Sequence, residues 1–426
     1  MTTFLYILLA ILVLLVLITV HEFGHYTAGK LLKFKIKEFS IGFGKAIYSH
    51  VSKKTGEKFS IRIFPLGGYC AFEGEDEDGK NNPDAFNNQK AWKRLIVLSA
   101  GVVFNFIFGI MSAIVFLLAA GYSNPKVNWV VPDSANQNAL VQTIDGVNYG
   151  IQNGDQILEV DGKKVRIYGN AAIGLSTLNS LTNNKKVGQN ITLTVLRNGK
   201  RVKTVVQKFE FSNEWYIKNT PGLNEIYYHD EENLLPVTTE EKFVELVSAA
   251  EGKLDKLFYT STGVVLSEEN IYTTLDLLHV SNGATGLGIT YTFQHHNYFF
   301  FTAIGEAFVF CGKICWLILT SLAGLFTGAT KLKQMGGTIT TVTQIAKISK
   351  MGIIQFLYLI PLLSMNLALF NFLPIPALDG ARFVFVMIEI IFRKPVPRKI
   401  EAYIHTIGLF ALLALVLFFD IYHFVA

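Results

Sequence analysis

Apolar residues in this chain come in long unbroken runs, not in the alternating or three-to-four-residue patterns of a soluble fold. Four segments, roughly 3–25, 95–121, 354–378 and 404–424, reach the length of about 20 apolar residues that a helix needs to cross the hydrocarbon core of a bilayer. A fifth run, Phe299 to Phe326, is apolar on average but carries Glu306, Lys313 and Thr320, spaced seven apart and so on one helical face, with Thr302 and Gly305 beside them. That pattern predicts an amphipathic helix lying in the membrane interface over 299–326. The fold class expected is therefore a polytopic α-helical membrane protein of about four transmembrane helices.

Between the second and third spans the pattern turns polar and strand-like. Gly150 to Val165 reads GIQNGDQILEVDGKKV, a Gly-Asp turn before an apolar strand and then an Asp161-Gly162 turn. Further on, ITLTVLRNGKRVKTVVQ sets two strands around Asn198-Gly199, a strong hairpin signal, and a helical stretch is expected near 170–182. Residues 125–211 resemble a PDZ domain, an α+β module that binds extended peptide ends by strand addition. A peptide ligand is one implied partner; a spacer or steric gate is the alternative. Extra residues lie between Ala139 and Gly150, and no Gly-Leu-Gly-Phe carboxylate-binding loop is evident in 125–211. Residues 212–298 read as an insertion of unknown role, with an amphipathic helix near Glu240–Phe258. His295-His296 could chelate a metal, but neighbours on a strand point to different sides, so an exposed pair without function is expected.

Composition sharpens this picture. Charged residues make up 17% of the 426-residue chain and hydrophobic residues 50%, against about a quarter charged in a soluble protein. The net charge of +5 is small, but its distribution is uneven. Thirteen Lys or Arg fall between Lys30 and Arg94, and a second cluster holds Arg382, Arg393, Lys394, Arg398 and Lys399. Such clusters mark cytoplasmic loops; no nucleic-acid partner is read from them. An even number of crossings must then separate them. Spans at 95–121 and 354–378 satisfy this, and a crossing at 299–326 would break it. Both termini and residues 122–350 are expected outside the cytoplasm. Three cysteines imply no disulfide framework. The N-terminal run lacks a basic flank and a cleavage site, so it is read as a retained span.

That first span ends in His21-Glu22-Phe23-Gly24-His25. Two histidines at i and i+4 share a helical face and can ligate one Zn²⁺, while the glutamate between them can act as base toward a water. Alone the motif is a modest signal, but polar residues at the lip of a membrane helix are costly without a role. A catalytic zinc site generally has three protein ligands. An acidic residue at the cytoplasmic end of another span meets that need: Asp379, in Asn371-Phe-Leu-Pro-Ile-Pro-Ala-Leu-Asp379-Gly380. Pro374 and Pro376 cannot sit in a regular helix interior, so the span must unwind there. A proline-kinked helix ending at a surface aspartate is the bland alternative.

HEFGH near the N-terminus, a PDZ-like insert and NFLPIPALDG near the C-terminus together resemble the site-2 protease family of intramembrane zinc metalloproteases. The likeness is to the bacterial branch that cleaves membrane-anchored anti-sigma factors and remnant signal peptides. It also covers Gly42-Phe43-Gly44, Pro65-Leu-Gly-Gly-Tyr69 and Phe86 to Asn105. The resemblance implies His21, His25 and Asp379 as zinc ligands, Glu22 as catalytic base, and Asn371 in a substrate-holding position. It implies single-span membrane proteins as substrates and a site facing the cytoplasm, with the PDZ-like domain on the other side. The chain departs from the family at Gly101-Val102 before Asn105, at Met335-Gly-Gly-Thr-Ile-Thr, and at Gly380-Ala381 after the aspartate. Residues Ala46–Phe64 read as a cytoplasmic hairpin around KKTGEK, serving to hold substrate or to cap the site. The rival classes are a non-catalytic scaffold presenting the PDZ-like domain, a broken-helix transporter, and a protease acting on soluble loops.

Overall fold

The computed structural model describes the chain apart from residues 1–2, 76–81, 131–141, 145–146, 170–172, 211–225, 231–232, 250–256, 261–264, 268–270, 272–284, 329–335 and 426. It divides into two units, one of residues 1–121 and 297–426 and one of residues 122–296.

The first unit is a helical bundle. Helices α1 (Thr3–Leu31) and α2 (Ala91–Ala120) pack on each other, and Gly24 sets how closely: a Cβ there would stand 2.5 Å from the Ala100 carbonyl oxygen. Between them lies a long β-hairpin, β1 (Ile36–Val51) and β2 (Lys58–Phe72), which extends well beyond the predicted 46–64. Its turn is closed by Gly56 at φ 73° and by a Gly56 N–H donating to the Ser52 carbonyl. Residues Glu38–Ile41 of β1 pair with Lys58–Ile61 on one side and with Gly68–Ala71 on the other, so β2 bends around β1. The Gly68–Ala71 segment thereby forms an edge. At the base of the hairpin, Phe34, Phe72 and Phe86 pack with ring centroids 5.1–5.8 Å apart, alongside buried Val97, Leu98 and Val386.

Beyond the second unit, α5 (Phe300–Thr327), α6 (Thr338–Met351), α7 (Ile353–Phe372), α8 (Asp379–Phe392) and α9 (Arg398–Val425) complete the bundle. Among the described residues five helices are long and apolar enough to cross a membrane: α1, α2, α5, α7 and α9. The sequence pattern expected about four crossings with 299–326 interfacial. Helix α5 buries Ala303, Ala307, Phe310 and Ile314 in one stripe and leaves Phe301, Phe308, Trp316 and Leu317 exposed, so its outer face is largely apolar. By length and composition it qualifies as a span too.

The second unit is built on a sheet. Strands β3 (Tyr122–Val130), β4 (Gln156–Val160), β5 (Arg166–Tyr168), β6 (Ile173–Ser176), β7 (Asn190–Arg197) and β8 (Lys200–Gln207) follow the spatial order β8-β7-β4-β3-β5-β6. The Asn198-Gly199 turn is as the sequence predicts, both residues at positive φ (50° and 78°) and Arg197 paired with Lys200. Those are the dihedral signs of a type I′ turn, whose twist matches that of the strands. The stretch expected to be helical at 170–182 is strand β6 followed by a short helix, α3 (Leu178–Thr182), capped by the Thr177 side chain. The core of this sheet is Val127, Ile151, Ile157, Val160, Ile191, Leu193 and Val195, with Leu287 joining from beyond the insertion. There β9 (Ile289–His296) runs antiparallel along the whole of β3. The inserted residues have a small core of their own, Ile226, Val237, Phe243, Phe258 and Ile271, and its helix α4 spans Glu240–Ala249. His296 stacks on Tyr122 at 5.1 Å.

Candidate metal centre

His21 and His25 lie one turn apart near the C-terminal end of α1, both buried. Asp379 arrives from the first turn of α8, after the chain unwinds through Leu373–Leu378. Pro374 and Pro376 break the helix, Ala377 takes φ 76°, and Gly380 fits where a Cβ would lie 2.1 Å from the Leu373 carbonyl oxygen. The Ala377 N–H donates to His405 Nδ1 on α9 at 3.0 Å, which ties the unwound segment down. No sequence spacing announced His405.

Three ligand atoms converge. His21 Nε2 is 2.8 Å and His25 Nε2 3.1 Å from Asp379 Oδ2, and the two Nε2 atoms are 3.2 Å apart. Ligands about 2.0–2.1 Å from a tetrahedral zinc stand about 3.3 Å from one another, so this triangle fits the ion after a slight opening. His25 Nδ1 donates to the Val97 carbonyl at 2.8 Å, which leaves the Nε2 lone pair facing the site. Among the described residues this is the one group of three or more His, Cys, Asp or Glu side chains close enough to share an ion. It is the predicted triad.

A cavity of about 370 Å³ opens beside it, lined by Glu22, His25, Tyr69, Cys70, Asp379 and Arg382 among others. Glu22 thus shares this cavity with His25 and Asp379. Burial pushes the Cys70 thiol up, and the carboxylates of Glu22, Glu75 and Glu57 add to that. Asn371, on the last turn of α7, is half-buried and is not among the residues lining this cavity. A second cavity of about 450 Å³ shares Glu75, Phe86, Leu98 and Arg382 with the first and continues past Arg94, Glu389 and Arg398. Arg382 and Glu75 form an ion pair in the shared wall.

A multi-pass helical bundle carrying a His-His-Asp site at a broken helix defines a membrane metalloprotease. The sequence profile of peptidase family M50 matches residues 9–415, and the chain belongs to that family. It is a zinc metalloprotease of the site-2 type. Similar proteins include one from Fusobacterium nucleatum provisionally named a zinc metalloprotease, 29% identical over 97% of both chains. Others are named regulator of sigma E protease: one of Haemophilus influenzae, 26% identical over 96% of both chains, and one of Salmonella typhimurium, 27% identical over 96% of this chain and 97% of the relative.

Proposed function

We propose that the chain hydrolyses peptide bonds within or near transmembrane segments of single-span membrane proteins, at a site facing the cytoplasm. The observation that carries this reading is the meeting of His21, His25 and Asp379 where one membrane helix ends and another unwinds. Zinc held by these residues would supply Lewis acidity toward a peptide carbonyl and a water of lowered pKa. Glu22 takes the proton from the attacking water and returns it to the leaving amine.

A helical substrate has its scissile carbonyl locked in an i to i−4 bond, so it must unwind and find new partners. The Gly68–Ala71 edge supports that role better than the 46–64 tip, because Tyr69, Cys70 and Ala71 line the metal cavity. Asn371 would help hold the unwound chain. The 450 Å³ cavity offers a polar path toward the cytoplasm for water and for the released fragment. The sheet of residues 122–296 serves as a PDZ-like module outside the cytoplasm. The resemblance to the bacterial branch of the site-2 family implies membrane-anchored anti-sigma factors or remnant signal peptides as the substrates, and relatives named regulator of sigma E protease agree with a regulatory role.

The test compares the wild type and Glu22→Gln on a panel of tagged single-span proteins in membranes, with zinc measured on both preparations. Loss of cleavage with zinc retained is expected. Equal processing by the two proteins would discard Glu22 as base and restore the scaffold reading.

A further inference from the structure

Helix α2 lies behind the metal site, and three of its residues at four-residue spacing face the two histidines. The Val97 carbonyl accepts from His25 Nδ1, Gly101 packs against both rings, and the Asn105 amide stands 3.3 Å from His21 Nδ1. Asn105 is fully buried, and its Oδ1 has no hydrogen-bond partner among the described residues. Its backbone carbonyl is fixed by the Ser364 hydroxyl at 2.8 Å, which holds this turn of α2 against α7.

We infer that Asn105 is a positioning residue, holding His21 as a metal ligand through Nε2 by accepting a hydrogen bond from its Nδ1–H. His21 Nε2 faces Asp379 and His25. A neutral imidazole that offers Nε2 to a cation must carry its proton on Nδ1, and buried there the N–H needs an acceptor. Val97 provides one for His25, and nothing on the backbone does so for His21 among the described contacts. A half-turn of the Asn105 carboxamide exchanges its oxygen and nitrogen in place. The orphaned Oδ1 then meets the Nδ1–H, and two unsatisfied groups become one hydrogen bond. Left unmade, each would carry the cost of an unpaired buried polar atom.

The inference rests on His21 being a zinc ligand, and the experiment separates the two claims. Full-length wild type, Asn105→Leu, Asn105→Asp and His21→Ala are purified in detergent. Zinc retention against a graded chelator is measured, together with the visible absorption of the cobalt-substituted proteins. Asn105→Leu should release zinc about 10–100-fold more readily, the range for loss of a ligand's hydrogen-bond partner, with altered cobalt bands. Asn105→Asp, which can still accept from Nδ1–H, should hold zinc at least as well as the wild type. Wild-type retention in Asn105→Leu, or an Asp variant as weak as Leu, would overturn the inference while His21→Ala still loses the metal. Full zinc in His21→Ala would overturn the ligand assignment itself. If the Leu variant fails to fold, the comparison of Asp with wild type decides the matter.

Discussion

A methyl group at position 101 would stand 2.5 Å from His25 Nε2 and 2.7 Å from His21 Cε1. Gly101 is therefore part of the proposed metal site although it has no side chain. Overpacking of this kind costs about 1–3 kcal/mol, and here the groups free to yield are the two imidazoles. Gly101→Ala should fold yet lose zinc and activity together, which metal analysis of the purified variant would check; full zinc content would contradict it. A second single-residue effect sits in the hairpin. Burial by itself would raise the Glu38 carboxyl, but hydrogen bonds from the Ser60 hydroxyl, Arg62 and Tyr69 outweigh it and hold the group at about 2, below its ordinary 4.5. A depressed folded-state value stabilises the fold above the ordinary value and ceases to do so as pH falls toward 2. Thermal unfolding of wild type and Glu38→Gln should thus differ at pH 6 and converge between pH 4.5 and 2. A gap independent of pH would assign the effect to packing.

At the scale of elements, the decisive feature is the break between α7 and α8. It was legible because its causes are local: two prolines two residues apart, then an aspartate and a glycine. HEFGH was legible for the same reason, its chemistry lying in a four-residue spacing. What holds the break was not legible. His405 reaches Ala377 across 28 positions and Asn105 reaches His21 across 84, and no periodicity links such pairs. The hairpin was half read, since the pairing of Glu38–Ile41 with two segments of one strand leaves no mark in the sequence. Strand β9 left no signal of its place in the sheet of residues 122–296, because its partner β3 precedes it by some 160 residues. His405→Leu tests the element argument. It leaves the Ala377 N–H unpaired in a strained turn, a cost of about 1–3 kcal/mol. The Asp379 segment should loosen, lowering the cleavage rate and zinc retention with little change in the α-helical circular dichroism. Unchanged zinc binding would show that the prolines and Gly380 suffice to hold Asp379.

For the whole molecule, the side on which α5 ends decides the topology. Two basic clusters on one side of the membrane require an even number of crossings between them, which α2 and α7 already supply. The structure adds a reason of its own. Asp420, near the C-terminal end of α9, accepts from the Ile339 and Thr340 N–H groups and the Thr340 hydroxyl, so the start of α6 sits beside that end of α9. If α9 runs outward from the basic cluster, the start of α6 is extracytoplasmic. Ten residues join Thr327 to Thr338. Fully extended they reach about 33–36 Å, barely the hydrocarbon thickness of about 30 Å, and an extended strand crossing lipid would leave its backbone unpaired. On those premises the C-terminal end of α5 is expected on the same side as α6, with α5 not crossing. In a chain with its three cysteines replaced by serine, Thr327→Cys should react with a membrane-impermeant thiol reagent from the outer side, and Lys394→Cys only from the cytoplasmic side. Labelling of both from the cytoplasmic side would make α5 a true span, require a second crossing besides α7 between Thr327 and Lys394, and overturn the four-crossing arrangement.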